Sequence, residues 1–259
     1  MISEKLSVVS SGGGRADQQS APALTHAVEM TGQTKPKVLI ATTPKTTPET
    51  ASRGALLARN LFVDQLGLDT TLLHEFNSIP SDNELTEKIE AADLLYICGG
   101  DTDRMMKIWR KTVIAQLVSR QALAGSLVIS GISAGAIAPF AWGHSDSLSY
   151  RTEQPDEPWD YIAVDGLSLA NAAITPHHDS ASIMHGARSS NFLKMFASLA
   201  ETKNTVSGFG IDNFAALQIQ DGKLSPVHTN EADRQIHHYQ ITDGVVTKNV
   251  LSTDDVIRL

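Results

Sequence analysis

One serine in the sequence is set up for nucleophilic catalysis. Ser133 lies at the centre of the pentapeptide Gly-Ile-Ser-Ala-Gly, residues 131–135. The apolar run 127–129 before it indicates a buried strand, and the small residues 134–138 can open a helix. G-x-S-x-G between a strand and a helix is typical of a nucleophile elbow, a sharp turn that holds the serine in a strained conformation. We therefore predict that Ser133 is a nucleophile.

A serine hydroxyl needs a general base, and two adjacent histidines are candidates. Residues 172–175 indicate a strand that Pro176 ends, so His177 and His178 follow a strand end. The sites of open α/β sheets collect at such ends. Neighbouring side chains in extended backbone point to opposite faces, so only one of the two histidines can face Ser133.

A third group must orient the imidazole and stabilise its protonated form. Among the carboxylates that lie in the chain between the serine and the histidines, Asp146 and Glu153 are the candidates. The residues alone leave both open.

Acyl transfer also needs N–H donors for the developing oxyanion. The residue after the nucleophile, Ala134, offers one backbone N–H. Behind the apolar run 94–98 comes a Gly-Gly turn, Gly99 and Gly100, where the main chain can approach a substrate without side-chain obstruction. We predict the second donor there.

The elements that must position these groups alternate between strands and helices, which predicts a parallel sheet covered by helices. The predicted strands of the first half are 6–10, 38–42, 70–74, 94–98 and 127–130. The predicted helices are 48–66, 82–91 and 102–124, the last behind Asp101 as N-cap, followed by 180–199 in the second half.

The C-terminal part favours antiparallel strands. The predicted strands there are 208–220, 224–229 and 236–250. The Asp-Gly dipeptides at 221–222 and 243–244 predict hairpin turns. Because no linker, repeat or low-complexity segment separates the halves, we predict one domain spanning residues 1–259.

The composition argues against several classes of partner. The 259-residue chain has 21 Lys and Arg against 29 Asp and Glu, a formal net charge of −8, and no lysine- or arginine-rich run. A nucleic-acid or anionic-membrane binder would carry a basic patch. We therefore expect no nucleic acid and no membrane as a partner. A small ligand, cationic or zwitterionic among the options, stays open.

The uncharged stretch 121–143 does not predict a membrane span, because it contains four glycines and one proline. A buried strand, a turn and a short helix explain it better. The single cysteine, Cys98, cannot form an internal disulfide, and the N-terminus lacks the basic and then apolar pattern of a secretory signal. We expect a cytoplasmic protein.

Five segments between about Lys37 and Gln220 are informative together: CGGDT (98–102), GISAGAIA (131–138), GHSDS (143–147), TPHHDS (175–180) and GFGIDNFAALQI (208–219). In this order and spacing they resemble the dipeptidase E (α-aspartyl dipeptidase) and cyanophycinase family of serine peptidases. The joint match is specific, although each segment alone is weak.

The resemblance implies an α/β fold, a three-layer sandwich with a mostly parallel central sheet related to class I glutamine amidotransferases. With it we expect a smaller antiparallel C-terminal strand region. The resemblance also implies a Ser-His-acid triad that needs no cofactor.

Carried over to this sequence, the resemblance makes Ser133 the nucleophile and His177, rather than His178, the base. It makes Gly100 and Ala134 the oxyanion donors. The dipeptidase branch matches Asp146 as the triad acid. The cyanophycinase branch uses a glutamate slightly further on, which leaves Glu153 as the alternative.

The dipeptidase branch implies a substrate with an N-terminal aspartate, which requires a cation in the site. Arg188 is the candidate, although it could equally lie on a solvated helix face. Asp212 is a candidate for binding a substrate amine, or it simply ends a strand. A small peptide is the expected substrate, and a homodimer is left open.

Other activities stay open. The chain could hydrolyse cyanophycin-like β-linked peptides or another amide or ester, or it could be an inactive ligand-binding homologue. The nine histidines lack the spacing of a metal site, so we expect no metal. Cys98 lies inside a predicted strand and is expected in the core. The segment SSGGGR, residues 10–15, is expected to be a flexible turn beside the site.

Overall fold

The computed structural model describes residues 2–14, 21–152, 157–227 and 234–259. The strands are β1 (Val8–Ser11), β2 (Val38–Ala41), β3 (Thr70–Leu72), β4 (Leu94–Ile97), β5 (Val128–Ile132), β6 (Phe140–Ser145), β7 (Ile162–Asp165), β8 (Ala170–Pro176), β9 (Ala181–Ser182), β10 (Gly186–Ala187), β11 (Ser207–Ile211), β12 (Ala216–Gln220), β13 (Lys223–Val227), β14 (Ile236–Thr242) and β15 (Val245–Leu251). The helices are α1 (Ala21–Met30), α2 (Pro48–Arg59), α3 (Asp82–Glu90), α4 (Thr102–Lys111), α5 (Ile114–Ala124), α6 (Ala134–Ile137) and α7 (Arg188–Leu199). A π-helical turn (Asn60–Gln65) extends α2, and a 3₁₀ turn covers Ser147–Arg151.

Two sheets supply the strand ends at which the site lies. The first has seven strands in the order β13-β12-β1-β5-β4-β2-β3, and β1, β5, β4, β2 and β3 are mutually parallel. The second has six strands in the order β15-β14-β11-β8-β6-β7, with β11, β8 and β6 parallel at its centre. The expected mixed α/β fold with a largely parallel central sheet is confirmed. The second sheet is larger than the expected C-terminal strand region, because β6, β7 and β8 belong to it.

Alternation along the first sheet's strands explains its two-sided burial. Val38 and Ile40 of β2 pack with α1 and α2, whereas Leu39 points into the core on the opposite face. That core also contains α3, α4, α5 and inner residues of the second sheet such as Ile174. The outer face of the second sheet packs against α7 through an aromatic cluster. Its members are Trp142, Phe192, Phe196 and Tyr239.

The predicted strands of the first half, and the strand before Pro176, are present within two residues at each end. Strands β6 and β7 and helix α1 were not predicted. The strand predicted over 208–220 is instead two strands, β11 and β12, which belong to different sheets. Both Asp-Gly dipeptides form the predicted turns, and all four of their residues have positive φ angles.

Two predicted helices differ from those observed. The helix predicted over 102–124 is two helices, α4 and α5, because Thr112 between them has an extended backbone and its hydroxyl donates to the carbonyls of Ile108 and Trp109. The helix predicted over 180–199 begins at Arg188, because the β9–β10 hairpin occupies the residues before it. Asp101 is the predicted N-cap of α4 and accepts from the backbone N–H of Arg104 at 3.0 Å.

None of the helices in the described ranges is both long and apolar enough to cross a membrane. One domain remains our expectation for residues 1–259, and the main core cluster includes residues of both sheets.

Candidate active site

Ser133 sits on a strained turn between β5 and α6. Its backbone angles, φ 56° and ψ −110°, lie where a residue with a side chain rarely goes. Such a conformation costs of order 1–3 kcal/mol and persists only where the surroundings enforce it. The turn is tight: a side chain at Gly131 would collide with the carbonyl group of Gly135. The predicted elbow is therefore present.

His177 faces the serine. Its Nε2 lies 2.9 Å from Ser133 Oγ, a hydrogen-bond distance. His177 follows β8 and adopts φ 52°, so two strained residues face each other. His178 points elsewhere, with its Nδ1 3.0 Å from Asp212 Oδ1.

The other nitrogen of His177 meets an amide and not a carboxylate. His177 Nδ1 lies 2.7 Å from Asn213 Oδ1. Asn213 follows β11, the parallel neighbour of β8, and the pairing of Ile211 with Pro176 brings the two strand ends together. Asn213 was not predicted from the sequence, because only carboxylates that precede the histidine in the chain were candidates for this position.

The two predicted triad acids do not occupy this position. The Asp146 carboxylate is 30% exposed and pairs with the Arg188 guanidinium, with 3.4 Å between Oδ2 and NH1. The prediction that Asp146 is the acid that orients His177 is therefore wrong, because the Nδ1 atom of His177 contacts Asn213 instead. Glu153 lies outside the described residues.

Burial lowers the pKa of the His177 imidazole below its ordinary value, and the positive charge of Arg188 lowers it further. The hydrogen bond with Asn213 and the carboxylates of Asp146 and Asp179 act in the opposite direction. The ring is neutral near pH 7, the state in which Nε2 can accept a proton.

The glycine segment after β1 connects the reacting residues through its carbonyl groups. The carbonyl of Ser11 accepts from the N–H of Ser133 at 3.1 Å, and the carbonyl of Gly12 accepts from the N–H of His177 at 2.9 Å. The carbonyl of Gly13 accepts from the N–H of Phe214, next to Asn213, at 2.9 Å. The glycine segment, which we expected to be a flexible turn, is therefore hydrogen-bonded to the elbow and to the ends of β8 and β11, and it fixes their relative positions.

Gly13 also packs directly on the base. Its φ is 151°, and a Cβ there would overlap Cε1 and Nδ1 of His177 and lie 2.7 Å from Asn213 Oδ1. Glycine is therefore required at this position. The signal in the sequence was a glycine run directly after a buried strand.

The glycine turn after β4 lies beside the nucleophile. A Cβ at Gly99 would be 3.2 Å from Cβ and 3.7 Å from Oγ of Ser133. Gly100 has φ 146°, and a Cβ there would lie 2.3 Å from the carbonyl oxygen of Pro44, so this residue cannot carry a side chain. Ala134 is the first residue of α6 and is buried. Of the two predicted oxyanion donors, Ala134 directly follows Ser133 and Gly100 belongs to the glycine turn beside it.

A cavity of about 690 Å³ opens at Ser133 and His177. Its other lining residues are Gly13, Gly14, Lys45, Thr50, Arg53, Gly54, Leu57, Ala58, Tyr96, Cys98, Gly99 and Ile132. Lys45 and Arg53 give this side of the site a positive charge. Burial raises the pKa of the Cys98 thiol to about 11, so it is protonated and a poor nucleophile.

Arg188 is not among the residues that line this cavity. It is 4% exposed, and its NH2 donates to the carbonyl of His144 at 3.0 Å. Its guanidinium also lies over the Tyr161 ring and beside Asp146. These partners engage the cation that we expected to bind an acidic substrate.

Asp212 belongs to a buried network behind the base. Its Oδ1 lies 3.0 Å from His178 Nδ1 and 3.4 Å from His237 Nε2, and its Oδ2 accepts from the N–H of Gln235. Burial alone would raise the pKa of Asp212, but the hydrogen bonds from the two histidines hold it well below its ordinary value. These bonds argue against the expected contact between Asp212 and a substrate amine.

The same three side chains bring two imidazole nitrogens and one carboxylate oxygen within 4.8 Å of one another. The His178 and His237 ring centres are 4.0 Å apart. Two imidazoles on one tetrahedral zinc ion, with Zn–N bonds of ~2.0 Å, hold their centres about 5 Å apart. A hydrogen-bonded network, completed by Tyr239 Oη at 2.7 Å from His178 Nε2, describes the cluster better than a metal site.

The chain resembles known proteins both in sequence and in structure. In sequence, it is 26% identical over 145 residues to the uncharacterized peptidase YgaJ of Bacillus subtilis (strain 168), a match that covers 56% of this chain and 55% of the relative. It is 30% identical over 131 residues to an uncharacterized peptidase of Pasteurella multocida (strain Pm70), over 49% of this chain and 55% of the relative. The chain thus spans about half the length of the curated relatives that it matches.

In structure, the fold matches a peptidase from an acI-B1 Actinobacterium with a TM-score of 0.66 at 18% identity, over 98% of this chain and 96% of the other. It matches a putative peptidase E protein from Listeria monocytogenes EGD-e with a TM-score of 0.53 at 16% identity, over 95% and 99%. At such identities these matches establish the fold alone.

The sequence model of one family covers most of the chain and includes the elbow, the histidine and the glycine segment. It is the model described as peptidase family S51, and it matches residues 6–227. The expected resemblance is confirmed at this level: the chain belongs to peptidase family S51.

Proposed function

We propose that the protein is a serine peptidase that hydrolyses small peptides through an acyl-enzyme. The observation that carries the proposal is the 2.9 Å contact between Nε2 of a neutral, half-buried His177 and Oγ of a serine on a strained elbow. A nucleophile and a base within hydrogen-bond reach, with the base oriented by a third group, form the minimal arrangement for acyl transfer. Family membership supports the same reaction class.

In this mechanism Ser133 Oγ attacks the peptide carbonyl carbon while His177 Nε2 removes the hydroxyl proton. The tetrahedral intermediate collapses, the C–N bond breaks, and His177 gives the proton to the leaving amine. Water then attacks the acyl-enzyme with His177 again as base. The C–O bond to Ser133 breaks, and the serine recovers its proton.

The backbone N–H groups of Ala134 and Gly100 are our proposed oxyanion donors. The positive φ of Gly100 and its contact with Pro44 preset the turn, so little reorganisation is needed when charge develops.

Asn213 takes the third position of the triad in this proposal. Its Oδ1 accepts from Nδ1–H of His177 and holds the ring with Nε2 toward the serine. An amide orients the imidazole as a carboxylate does but carries no charge to stabilise the imidazolium. Cysteine peptidases with a Cys-His-Asn triad use this solution.

We propose short peptides with an acidic N-terminal residue as the substrate class. Lys45 and Arg53 line the cavity at the nucleophile, and two cations there favour an anionic group. Both curated relatives are described as uncharacterized peptidases, with no substrate. Lys45 and Arg53 replace Arg188 in this role, because the Arg188 guanidinium is engaged with Asp146 and His144.

The test combines a probe with a substrate panel. We expect a fluorophosphonate to label wild-type protein at Ser133, and Ser133→Ala to remove both labelling and peptide turnover while the thermal melt stays the same. Ser130→Ala, in β5 three residues before the nucleophile, is the matched control and should keep both. In the panel, α-Asp-Leu should be hydrolysed faster than β-Asp-Arg.

Faster turnover of β-Asp-Arg would identify a cyanophycin-like activity instead. If wild-type protein neither reacts with the probe nor hydrolyses any dipeptide, the proposal is wrong and the chain is a ligand-binding homologue.

A further inference from the structure

Asn213 is itself held by a carboxylate outside the three residues of the proposed triad. Asp179 Oδ1 accepts from Asn213 Nδ2 at 2.8 Å and from the Asn213 backbone N–H at 2.8 Å. Asn213 Nδ2 also lies 3.1 Å from Ser180 Oγ. Asp179 lies two residues after the base, so one short segment supplies both the base and the group that holds its partner.

These contacts leave the side-chain amide of Asn213 a single orientation. An ionised carboxylate can only accept hydrogen bonds, so the NH₂ of Asn213 must face Asp179. The amide oxygen therefore faces His177. In the reversed orientation two oxygens would meet at Asp179, and the amide NH₂ would face Nδ1.

The orientation of the amide fixes the tautomer of the base. With Oδ1 of Asn213 as acceptor, His177 Nδ1 must carry the proton, and Nε2 keeps the lone pair that faces Ser133 Oγ. A reversed amide would instead favour a proton on Nε2, where it would disable the base. Such a wrong tautomer costs about 10⁴-fold in turnover in a serine peptidase.

Asp179 also contributes a negative charge close to the ring. Its carboxylate and that of Asp146 favour the imidazolium, and the Arg188 guanidinium opposes it. On its outer side, Asp179 Oδ2 lies 3.1 Å from Arg234 NH1, an ion pair that moderates this charge.

We propose that Asp179 is a positioning residue of the catalytic site: it locks the Asn213 amide so that His177 holds the reactive tautomer, and it supplies the charge that the amide lacks. Asp179 takes no proton and touches no substrate. It acts in the proposed peptidase reaction, and the inference rests on that function.

The first experiment is Asp179→Asn, a substitution of equal size. We expect kcat to fall roughly 10- to 100-fold, less than the cost of a fully wrong tautomer because the reversed amide is only partly populated. KM should change less than about twofold. The acid limb of kcat/KM should move to lower pH, because the lost negative charge no longer raises the pKa of His177.

The matched control is Arg234→Gln, which removes the counterion of Asp179 and leaves the amide contacts in place. We expect kcat to be kept and the acid limb to move to higher pH. If Asp179→Asn leaves kcat and the acid limb as in wild type, or if both variants move the limb in the same direction, the proposal is overturned.

A measurement on wild-type protein needs neither a variant nor a substrate. Nitrogen-15 NMR of His177 should report a neutral ring protonated at Nδ1, and a ring protonated at Nε2 overturns the positioning role. This readout separates the two proposals. Protein that hydrolyses no peptide contradicts the peptidase proposal, whereas the ring tautomer still decides the role of Asp179.

Discussion

His177 and Asn213 face each other across the ends of two parallel strands, with 2.7 Å between Nδ1 and Oδ1. Their neighbours in the chain, His178 and Asp212, form a second pair, with 3.0 Å between Nδ1 and Oδ1. The fold thus holds two neighbouring imidazoles, of which the one that contacts Ser133 has the uncharged partner. Negative charge near that imidazole comes from Asp146 and from Asp179, which contacts Asn213.

The contact between Asn213 and Asp179 predicts what happens when a negative charge is placed on Asn213, the direct partner of His177. In Asn213→Asp, two carboxylates would lie about 2.8 Å apart, so one must take up a proton or the loop must open. We expect this variant to melt at a lower temperature and to turn over more slowly.

The double variant Asn213→Asp with Asp179→Asn restores one charge and places it on the direct partner of His177. It should recover the melting temperature and raise the pH of the acid limb above that of wild type, because the charge is closer to the ring. Thermal melts and pH profiles of kcat/KM check both expectations. Equal behaviour of the single and the double variant would contradict the coupling.

The glycine segment after β1 gives a second prediction, for Gly13→Ala. The new methyl group would occupy the space of the His177 ring, so the ring must turn away from Ser133. We expect kcat to drop about 100-fold or more, since small displacements of a catalytic group are costly. Gly32→Ala is the control: Gly32 also has a positive φ, of 65°, but nothing lies within 4 Å of a Cβ there. A similar loss of kcat in both variants would mean that backbone strain, and not the contact with His177, is responsible.

The site could be predicted from the sequence only in part, and the reason is physical. The elbow and the histidine were accessible because a strand, a glycine-flanked serine and a proline-ended strand are local patterns. Asn213 and Gly13 were not, since their positions depend on which strands are neighbours. Pairing between β8 and β11 brings residue 213 beside residue 177, and pairing between β1 and β5 brings the glycine segment beside the elbow. Pairing between strands that are distant in the chain produces no characteristic residue spacing by which it could be recognised in the sequence.

The same limit applies to the fold. Buried parallel strands are continuous apolar runs and were found, with β2 and β4 as examples. By contrast, β6 contains Gly143 and two polar residues, and it is buried nearly throughout without the alternation that indicates a strand. Its neighbours in the second sheet, and not its own pattern, make it a strand.

The cations of the cavity predict charge-dependent recognition. Lys45→Met and Arg53→Met should each raise KM for an Asp-containing dipeptide about tenfold, and leave KM for the matching Asn dipeptide within about twofold. The control is Arg120→Met, which removes an exposed arginine that pairs with Glu90 away from the cavity. Steady-state kinetics on the two dipeptides provide the measurement. A parallel rise of KM for both dipeptides would show that the cations shape the cavity without reading charge.

Buried histidines predict a loss of stability in acid. His144 is fully buried, and desolvation, with a smaller contribution from Arg188, lowers its pKa from 6.5 to about 2. The unfolded chain therefore binds a proton that the folded chain does not, and stability falls as the pH drops below about 6.5. At pH 5 the expected contribution of this residue is about 2 kcal/mol. Urea unfolding at pH 7 and pH 5 should show a smaller difference for His144→Gln than for wild type, and an unchanged difference would contradict it.

Substitution of Asp146 tests whether this residue orients His177, as expected from the sequence, or pairs with Arg188, as observed in the structure. If Asp146 oriented the base, Asp146→Asn would cost about 10⁴-fold in kcat. Because Asp146 pairs with Arg188, we expect a loss of less than about tenfold, from its electrostatic effect on His177 alone. The main effect should be on stability, since the guanidinium of Arg188 is buried and would lose its counterion. Comparing kcat and the melting temperature of Asp146→Asn with those of Asn213→Ala, which should lose activity by 100-fold or more, decides which residue is the partner of His177.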